Sequence, residues 1–371
     1  MDKHGRREEG LPGLWKRIVF TLGGTIFALA LVLVCLEIAL RIAGWTRSFE
    51  IYERVEIGTV RPLEVRSLHA NATVHHVTKE FDVTYRTNSW GYYDREWDRI
   101  KKPGTLRIAF FGDSFTMGHG VGSERAFPRL VEELLQKRWN RPVETLNFGI
   151  WGSGTLDEKE YIADALKFDP DYVVVCFYIN DVFDNVRYMD EKKRGAAFKP
   201  NEEMAIERAS GHQRMLVGLK EFLNAHSRAF AFVTERTKNL RDALGLVTYP
   251  LEGVFTGKCD DLLKETAGYL NVIADDLAAR AIPMTVVYLP AKVQISTKHA
   301  PKNFDLELPN RLLAANLKGL VMIDLTGDFR GVNSEELWFR EGHYNERGHE
   351  FVAAWLAEKI PVPEKKSVMR Q

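Results

Sequence analysis

Leu106-Arg-Ile-Ala-Phe-Phe-Gly-Asp-Ser-Phe-Thr116 is the stretch whose reading decides the architecture. Leu106 to Phe111 is a short apolar run rich in strand formers, ended by a glycine turn. Such a run reads as a strand buried on both faces. Gly112, Asp113 and Ser114 then fall where the strand stops and the next element starts. In an open parallel sheet that rim is where ligands bind.

The same rhythm continues outward from this stretch. Further strands are expected at Val143–Asn147, Tyr172–Tyr178, Met284–Leu289 and Leu320–Leu325, with helices near 126–139, 157–168, 260–280, 307–317 and 348–360. Apolar runs alternating with amphipathic stretches mean parallel strands joined by crossover helices. Five of them, covered on both faces, make an α/β, doubly wound, flavodoxin-like sheet. The interval from about 184 to 258 is too long for one connection, so it reads as an insertion carrying a helix around Met215 to Thr237. Its Phe222, Phe230 and Phe232 are expected to be core contacts. Upstream, residues 45 to about 100 are rich in β-formers and aromatics, with Phe81 to Thr87 alternating in character, and suggest a small β-containing cap between membrane and enzyme. The tail after Pro361 reads as disordered.

Ile18 to Leu36 is an uninterrupted apolar stretch, about 28 Å long as a helix, which matches a hydrocarbon core. Lys3, Arg6, Arg7, Lys16 and Arg17 precede it, whereas Arg41 and Arg47 follow, so the positive-inside rule puts the N-terminus in the cytoplasm and the rest outside. No small-residue cleavage site follows the stretch, as a signal peptide would require. Glu37 and Arg41 are spaced to pair at the exit.

Lysines plus arginines equal aspartates plus glutamates, 51 each, which gives no electrostatic support to a nucleic-acid partner. The three cysteines form no CxxC pair, and a Cys176–Cys259 disulfide stays open for an oxidising compartment. His75 and His76 are adjacent, with no acidic partner at ligand spacing, so neither a metal nor another cofactor is expected.

Four signals carry chemistry, each at the carboxyl end of an expected strand. Ser114 can project its hydroxyl into the crevice while its own N–H points at an incoming carbonyl oxygen. Asn147, Gly149 and Gly152, in Asn-Phe-Gly-Ile-Trp-Gly, allow close backbone approach and a second N–H donor. Asn180, before Asp181, offers a carboxamide to the same oxyanion. After the last strand come Glu341, Gly342, His343, Tyr344 and Asn345, where His343 can reach the first strand's end and a carboxylate can hold its tautomer. His349 falls inside the next helix and reads as structural.

These blocks, in this order, resemble the SGNH (GDSL) hydrolase family over roughly residues 86 to 360. The first block looks like Gly112 to Phe115, extended by Thr116, Gly118, Gly120 and Val121; the others look like Asn147–Gly154, Asn180–Asp181 and Glu341–Gly348. The resemblance implies Ser114 as nucleophile, His343 as base, and the Ser114 N–H, Gly152 and Asn180 as oxyanion donors. The family's acid is an aspartate two or three residues before the histidine; here those positions hold Glu341 and Arg340. Glu341 is expected to do that work with a longer reach. Tyr178 stands where a glycine often precedes the Asn-Asp block, and is expected to narrow or line the pocket.

The expected organisation is a cytoplasmic segment 1–17, a transmembrane anchor 18–40, a linker and cap 41–104, a hydrolase domain 105–360 and a tail 361–371. The expected function is a single-pass, periplasm-facing serine esterase removing O-acetyl or other short acyl groups from an extracytoplasmic glycan. Its expected partners are that ester substrate, the membrane and a polysaccharide export or modification complex. O-acetyl transfer to an exported polysaccharide, a catalytically inactive glycan-binding scaffold and a lipid esterase stay open at this point.

Overall fold

The computed structural model describes residues 11–45, 52–56, 70–78, 80–194, 215–216, 219–220, 222–223, 226–243, 251–295, 300–333, 336–339 and 341–361. Compactness divides the chain into two units: residues 1–47 with 199–246, and residues 48–198 with 247–371.

The first unit contains helix α1, Leu11–Ile42. Within it, Trp15–Ile42, 28 residues, is long and apolar enough to cross a membrane. Glu37 and Arg41 pair at 2.7 Å at its end, at the spacing read from the sequence. Glu37 also accepts from Ser227 Oγ at 3.0 Å and from Ala229 N–H at 2.8 Å. That contact satisfies N–H groups left open at the start of a second helix, Arg228–Ala243. The described residues between 215 and 226 are all helical as well, so the helix expected around Met215 to Thr237 is met from its start and helical structure runs on to Ala243. Phe232 packs edge-on against Trp45, but Phe222 is exposed, not a core contact, and stacks on His226.

In the second unit, strands β1 (Tyr52–Glu56), β2 (Thr73–Val77) and β3 (Asp82–Arg86) form an antiparallel sheet in that order. The main sheet has β4 (Leu106–Gly112), β5 (Val143–Asn147), β6 (Tyr172–Phe177), β7 (Met284–Tyr288) and β8 (Val321–Asp324), all parallel, in the order β5-β4-β6-β7-β8. The order reverses at β4, so the crevice opens at the end of that strand. Each strand lies within one residue of its expected limits.

Side chains alternate between two cores as strand pleating requires. Ala109, Phe111, Val173, Val175 and Val286 face one side; Ile108, Phe110, Val174, Cys176 and Val287 face the other. The second side is covered by α3 (Phe127–Trp139), which buries Phe127, Val131 and Leu135 at four-residue spacing against Val352 and Leu356 of the C-terminal helix Glu346–Lys359. The first is covered by α4 (Thr155–Ala165) and by helix Asp260–Ala278 through Leu263, Ala267 and Leu270. Each fully buried Val or Leu here stabilises by about 1.5–3 kcal/mol relative to exposure. At the amino end of β4, Arg107 is sealed in yet fully engaged: it pairs with Glu144 at 2.7 Å and donates to the carbonyls of Asp98 and Phe168. Removing one partner of such a pair costs about 3–5 kcal/mol.

The three cysteines are free, so Cys176 and Cys259 do not form the disulfide left open by the sequence. Cys176 belongs to β6 and faces the second core, which seals it from oxidant and from a partner thiol alike.

Candidate active site

All seven residues of β4 are buried. At its end Asp113 caps a four-residue helix, α2 (Ser114–Met117), by accepting from Phe115 N–H at 2.9 Å. Ser114 is thus the first helical residue, and its N–H is among those a helix leaves without an internal acceptor. Gly118, in the left-handed region, stops the helix after one turn.

The loop after β5 is locked to α2. Asn147 Nδ2 donates to Thr116 O at 3.0 Å, and its Oδ1 accepts from Gly149 N–H at 2.9 Å. A Cβ on Gly149 would fall 2.3 Å from the Met117 nitrogen, so the glycine is required by the closeness of the two backbones. Asn147 and Gly149 accordingly brace the turn that carries Ser114. Gly152, at φ +71°, has its carbonyl held by Arg187, which also pairs with Asp184 at 2.9 Å. Among the described residues the Gly152 N–H has no acceptor. Asn180, just before helix α5 (Asp181–Arg194), donates from Nδ2 to Asp184 Oδ2 at 3.0 Å. A carboxamide nitrogen carries two hydrogens, and the second is shared between the Asp113 carboxyl, whose pKa the Asn180 amide lowers, and any ligand at the rim.

Opposite these donors, residues 337–345 fold back on themselves through a Trp338–Tyr344 bridge and a Phe339 N–H to His343 O bond of 2.8 Å. Asn345 then caps the C-terminal helix through Gly348 N–H. Tyr344 is fully buried, its ring 4.9 Å from that of Phe115, which ties the loop to the turn that carries Ser114. At the tip His343 Nε2 lies 2.8 Å from Ser114 Oγ, and His343 Nδ1 lies 2.5 Å from Glu341 Oε2. Glu341 Oε1 also accepts from the His343 backbone N–H at 3.2 Å, so the longer side chain curls back and grips its histidine twice. With Nδ1–H donating to Glu341, Nε2 is the bare nitrogen that accepts from Ser114.

His349, six residues on, is buried and accepts from Phe127 N–H through Nδ1 at 3.2 Å. Burial lowers it to about 3, which keeps it neutral. Tyr178 packs its ring 4.0 Å from that of Phe115, the residue after the serine. Asp113, Glu158 and Asp181 are fully buried. Burial raises Asp113 to about 6 and holds Glu158 and Asp181 well above the usual carboxylate range, each further raised by its acidic neighbours in the case of the latter two.

Sequence reasoning missed the wall supplied by β2 and β3. Tyr85 of β3 accepts from Gly120 N–H at 2.8 Å and sits 3.4 Å from Nδ1 of the buried His119. The His119 ring lies 4.4 Å from that of His343 and 4.9 Å from the half-exposed Trp151. Burial first, then the neighbouring His343 and His76, lower His119 to about 2. The only sequence signal for it is a histidine between Gly118 and Gly120 in the first block. His75, without an acidic neighbour in sequence, acquires one from the hairpin: its Nε2 is 2.7 Å from Asp82 Oδ1, in an exposed pair.

The sequence of residues 110–351 matches the model of the GDSL-like lipase/acylhydrolase family. The match spans well over half of the chain, and the chain belongs to this family. It is therefore a carboxylic ester hydrolase. No curated protein matches it. Among solved structures, the acetyl xylan esterase AlAXEase is 16% identical, with a TM-score of 0.40 over 69% of this chain and 100% of its own. A catalytic mutant of an acetylxylan esterase from Geobacillus stearothermophilus is 14% identical, with a TM-score of 0.41 over 72% of this chain and 98% of its own. A two-domain esterase active on acetylated mannans is 14% identical, with a TM-score of 0.38 over 68% of this chain and 48% of its own.

Proposed function

We propose that the chain is a membrane-anchored serine esterase that removes O-acetyl or other short acyl groups from an extracytoplasmic glycan. The observation that carries the reading is the unbroken relay from Ser114 Oγ through His343 to Glu341, 2.8 Å and 2.5 Å long, at the carboxyl end of β4. In the first step His343 Nε2 takes the Ser114 hydroxyl proton while Oγ attacks the ester carbonyl. The N–H groups of Ser114 and Gly152 and the Asn180 amide donate to the oxyanion. His343 returns the proton to the departing sugar hydroxyl, leaving an acyl-enzyme. Water, activated by the same nitrogen, then releases the carboxylic acid. Glu341 holds the tautomer and stabilises the imidazolium.

The preference for a short acyl group is supported by the bulk of the Phe115–Tyr178 ring pair, 4.0 Å apart, of which Phe115 is next to the serine in the chain. The glycan is supported by Trp151, 44% exposed at the rim, whose face suits a sugar ring. Anchoring and orientation are supported by the apolar helix Trp15–Ile42 and by the basic residues that precede it.

The test is hydrolysis of aryl acetate, butyrate and octanoate, and of an acetylated oligosaccharide, by the full-length protein in detergent. Acetate is expected to be fastest, with free acetic acid released from the oligosaccharide. Octanoate as the best substrate would contradict the short-acyl reading. A phosphatase reporter after Gln371 should be active only outside the cytoplasm; activity inside would overturn the orientation.

A further inference from the structure

We propose that His119, Glu341 and His343 form an inhibitory site for a divalent ion of the zinc class. One ligand atom from each lies within 4.8 Å of the other two. Two imidazoles and one carboxylate, with water in the fourth position, are a donor set that zinc accepts readily and that magnesium, which demands oxygen ligands, does not.

The placement of His119 distinguishes it from a packing residue. Its Nδ1 is held by the Tyr85 hydroxyl, itself fixed by Gly120 N–H. Such outer contacts orient a ligating imidazole and set which nitrogen is offered. Among the described residues Nε2 of His119 has no hydrogen-bond partner, although the ring is buried between His343, Trp151 and Phe81.

Inhibition follows from the ligands, whichever nitrogen of His343 is used. Both are already engaged, Nδ1 with Glu341 and Nε2 with Ser114. Coordination through Nε2 takes the acceptor from the Ser114 hydroxyl. Coordination through Nδ1 requires the tautomer whose proton sits on Nε2, so that nitrogen can no longer accept from Ser114, and it withdraws Glu341 from the relay. In neither case does a base remain beside Ser114. The metal site itself needs only the geometry; its inhibitory consequence rests on the esterase reading above.

The experiment is calorimetric titration of the full-length protein in detergent with zinc chloride, with magnesium chloride as the hard-ion control, alongside aryl-acetate hydrolysis in the same buffer. The wild type is expected to take up zinc and not magnesium, to lose hydrolysis over the same concentration range, and to recover it with a chelator. His119→Gln should bind zinc at least tenfold more weakly. Tyr85→Phe, which keeps all three ligands, should weaken binding about tenfold by freeing the ring. Absence of zinc uptake by the wild type, or equal affinity in His119→Gln, would overturn the site. Zinc uptake that depends on His119 in a protein without hydrolytic activity would uphold the metal site and sink the esterase reading. Hydrolysis indifferent to bound zinc would overturn the inhibition.

Discussion

One side of the active site is made by the carboxyl ends of parallel strands, and the other by a β-hairpin from far upstream. On the strand side, Ser114, Gly152 and Asn180 each follow a buried strand whose register is fixed by its neighbours. Their positions are inherited from the sheet, and a shift of one residue would send every strand side chain to the opposite core. On the hairpin side, Tyr85 and Phe81 reach the site only by packing on His119, Gly120 and Phe339. That wall depends on tertiary contact alone. The difference teaches that the strand ends hold the proposed reacting groups, whereas the hairpin shapes what surrounds them. Substitutions on the two sides should therefore differ in kind as well as in size.

The largest expected effect lies in the relay. Glu341→Gln keeps the shape but removes the charge and can impose the wrong tautomer on His343, so kcat should fall by about ten-thousandfold with thermal unfolding little changed. A variant within a few-fold of wild type would remove Glu341 from the relay. Next comes Asn180→Ala, which should lower kcat by about a hundred- to a thousandfold through loss of an oxyanion donor. A change confined to KM would make Asn180 a substrate-binding residue instead.

Stability changes with pH come third. His349 is fully buried and neutral, at about 3 in the folded state against about 6.5 in the unfolded chain. A depressed histidine contributes stability that is present above the unfolded value and lost as pH falls. Between pH 7 and pH 5 this group alone should cost about 2 kcal/mol. Thermal unfolding of His349→Gln across that range should show a shallower loss than the wild type; parallel curves would mean that His349 does not govern it. The smallest effect belongs to the hairpin wall. Tyr85→Phe leaves the Gly120 N–H without its acceptor, a loss of about 1–3 kcal/mol in stability, while aryl-acetate turnover should stay within about tenfold of wild type. A loss as large as that of Glu341→Gln would mean that the two walls act as one unit.

Much of the sheet was legible because a strand buried on both faces must be largely apolar, as Tyr172–Phe177 is throughout and Leu106–Gly112 is but for Arg107. The relay residues were legible because each followed such a strand or preceded an amphipathic helix. Glu341 was readable as an acid of unusual length; how it curls to reach both the ring and the backbone of His343 was not, since that depends on the closed loop at 337–345. His119 was hidden because its role comes from a hairpin that begins more than forty residues earlier in the chain. The burial of Asp113, Glu158 and Asp181 was not legible, because it comes from packing between α4, α5 and the sheet. The contact of the Arg228–Ala243 helix with the apolar helix α1, through Glu37, left no periodic trace.

The claim on which the account stands is that Ser114 is a nucleophile made reactive by His343. Intact-mass and peptide mapping after reaction with a serine-directed fluorophosphonate tests it most directly. The wild type should gain one adduct, on Ser114; Ser114→Ala should gain none; and His343→Ala should react at least a thousandfold more slowly. An adduct on another residue, or a Ser114 that reacts equally fast without His343, would contradict it.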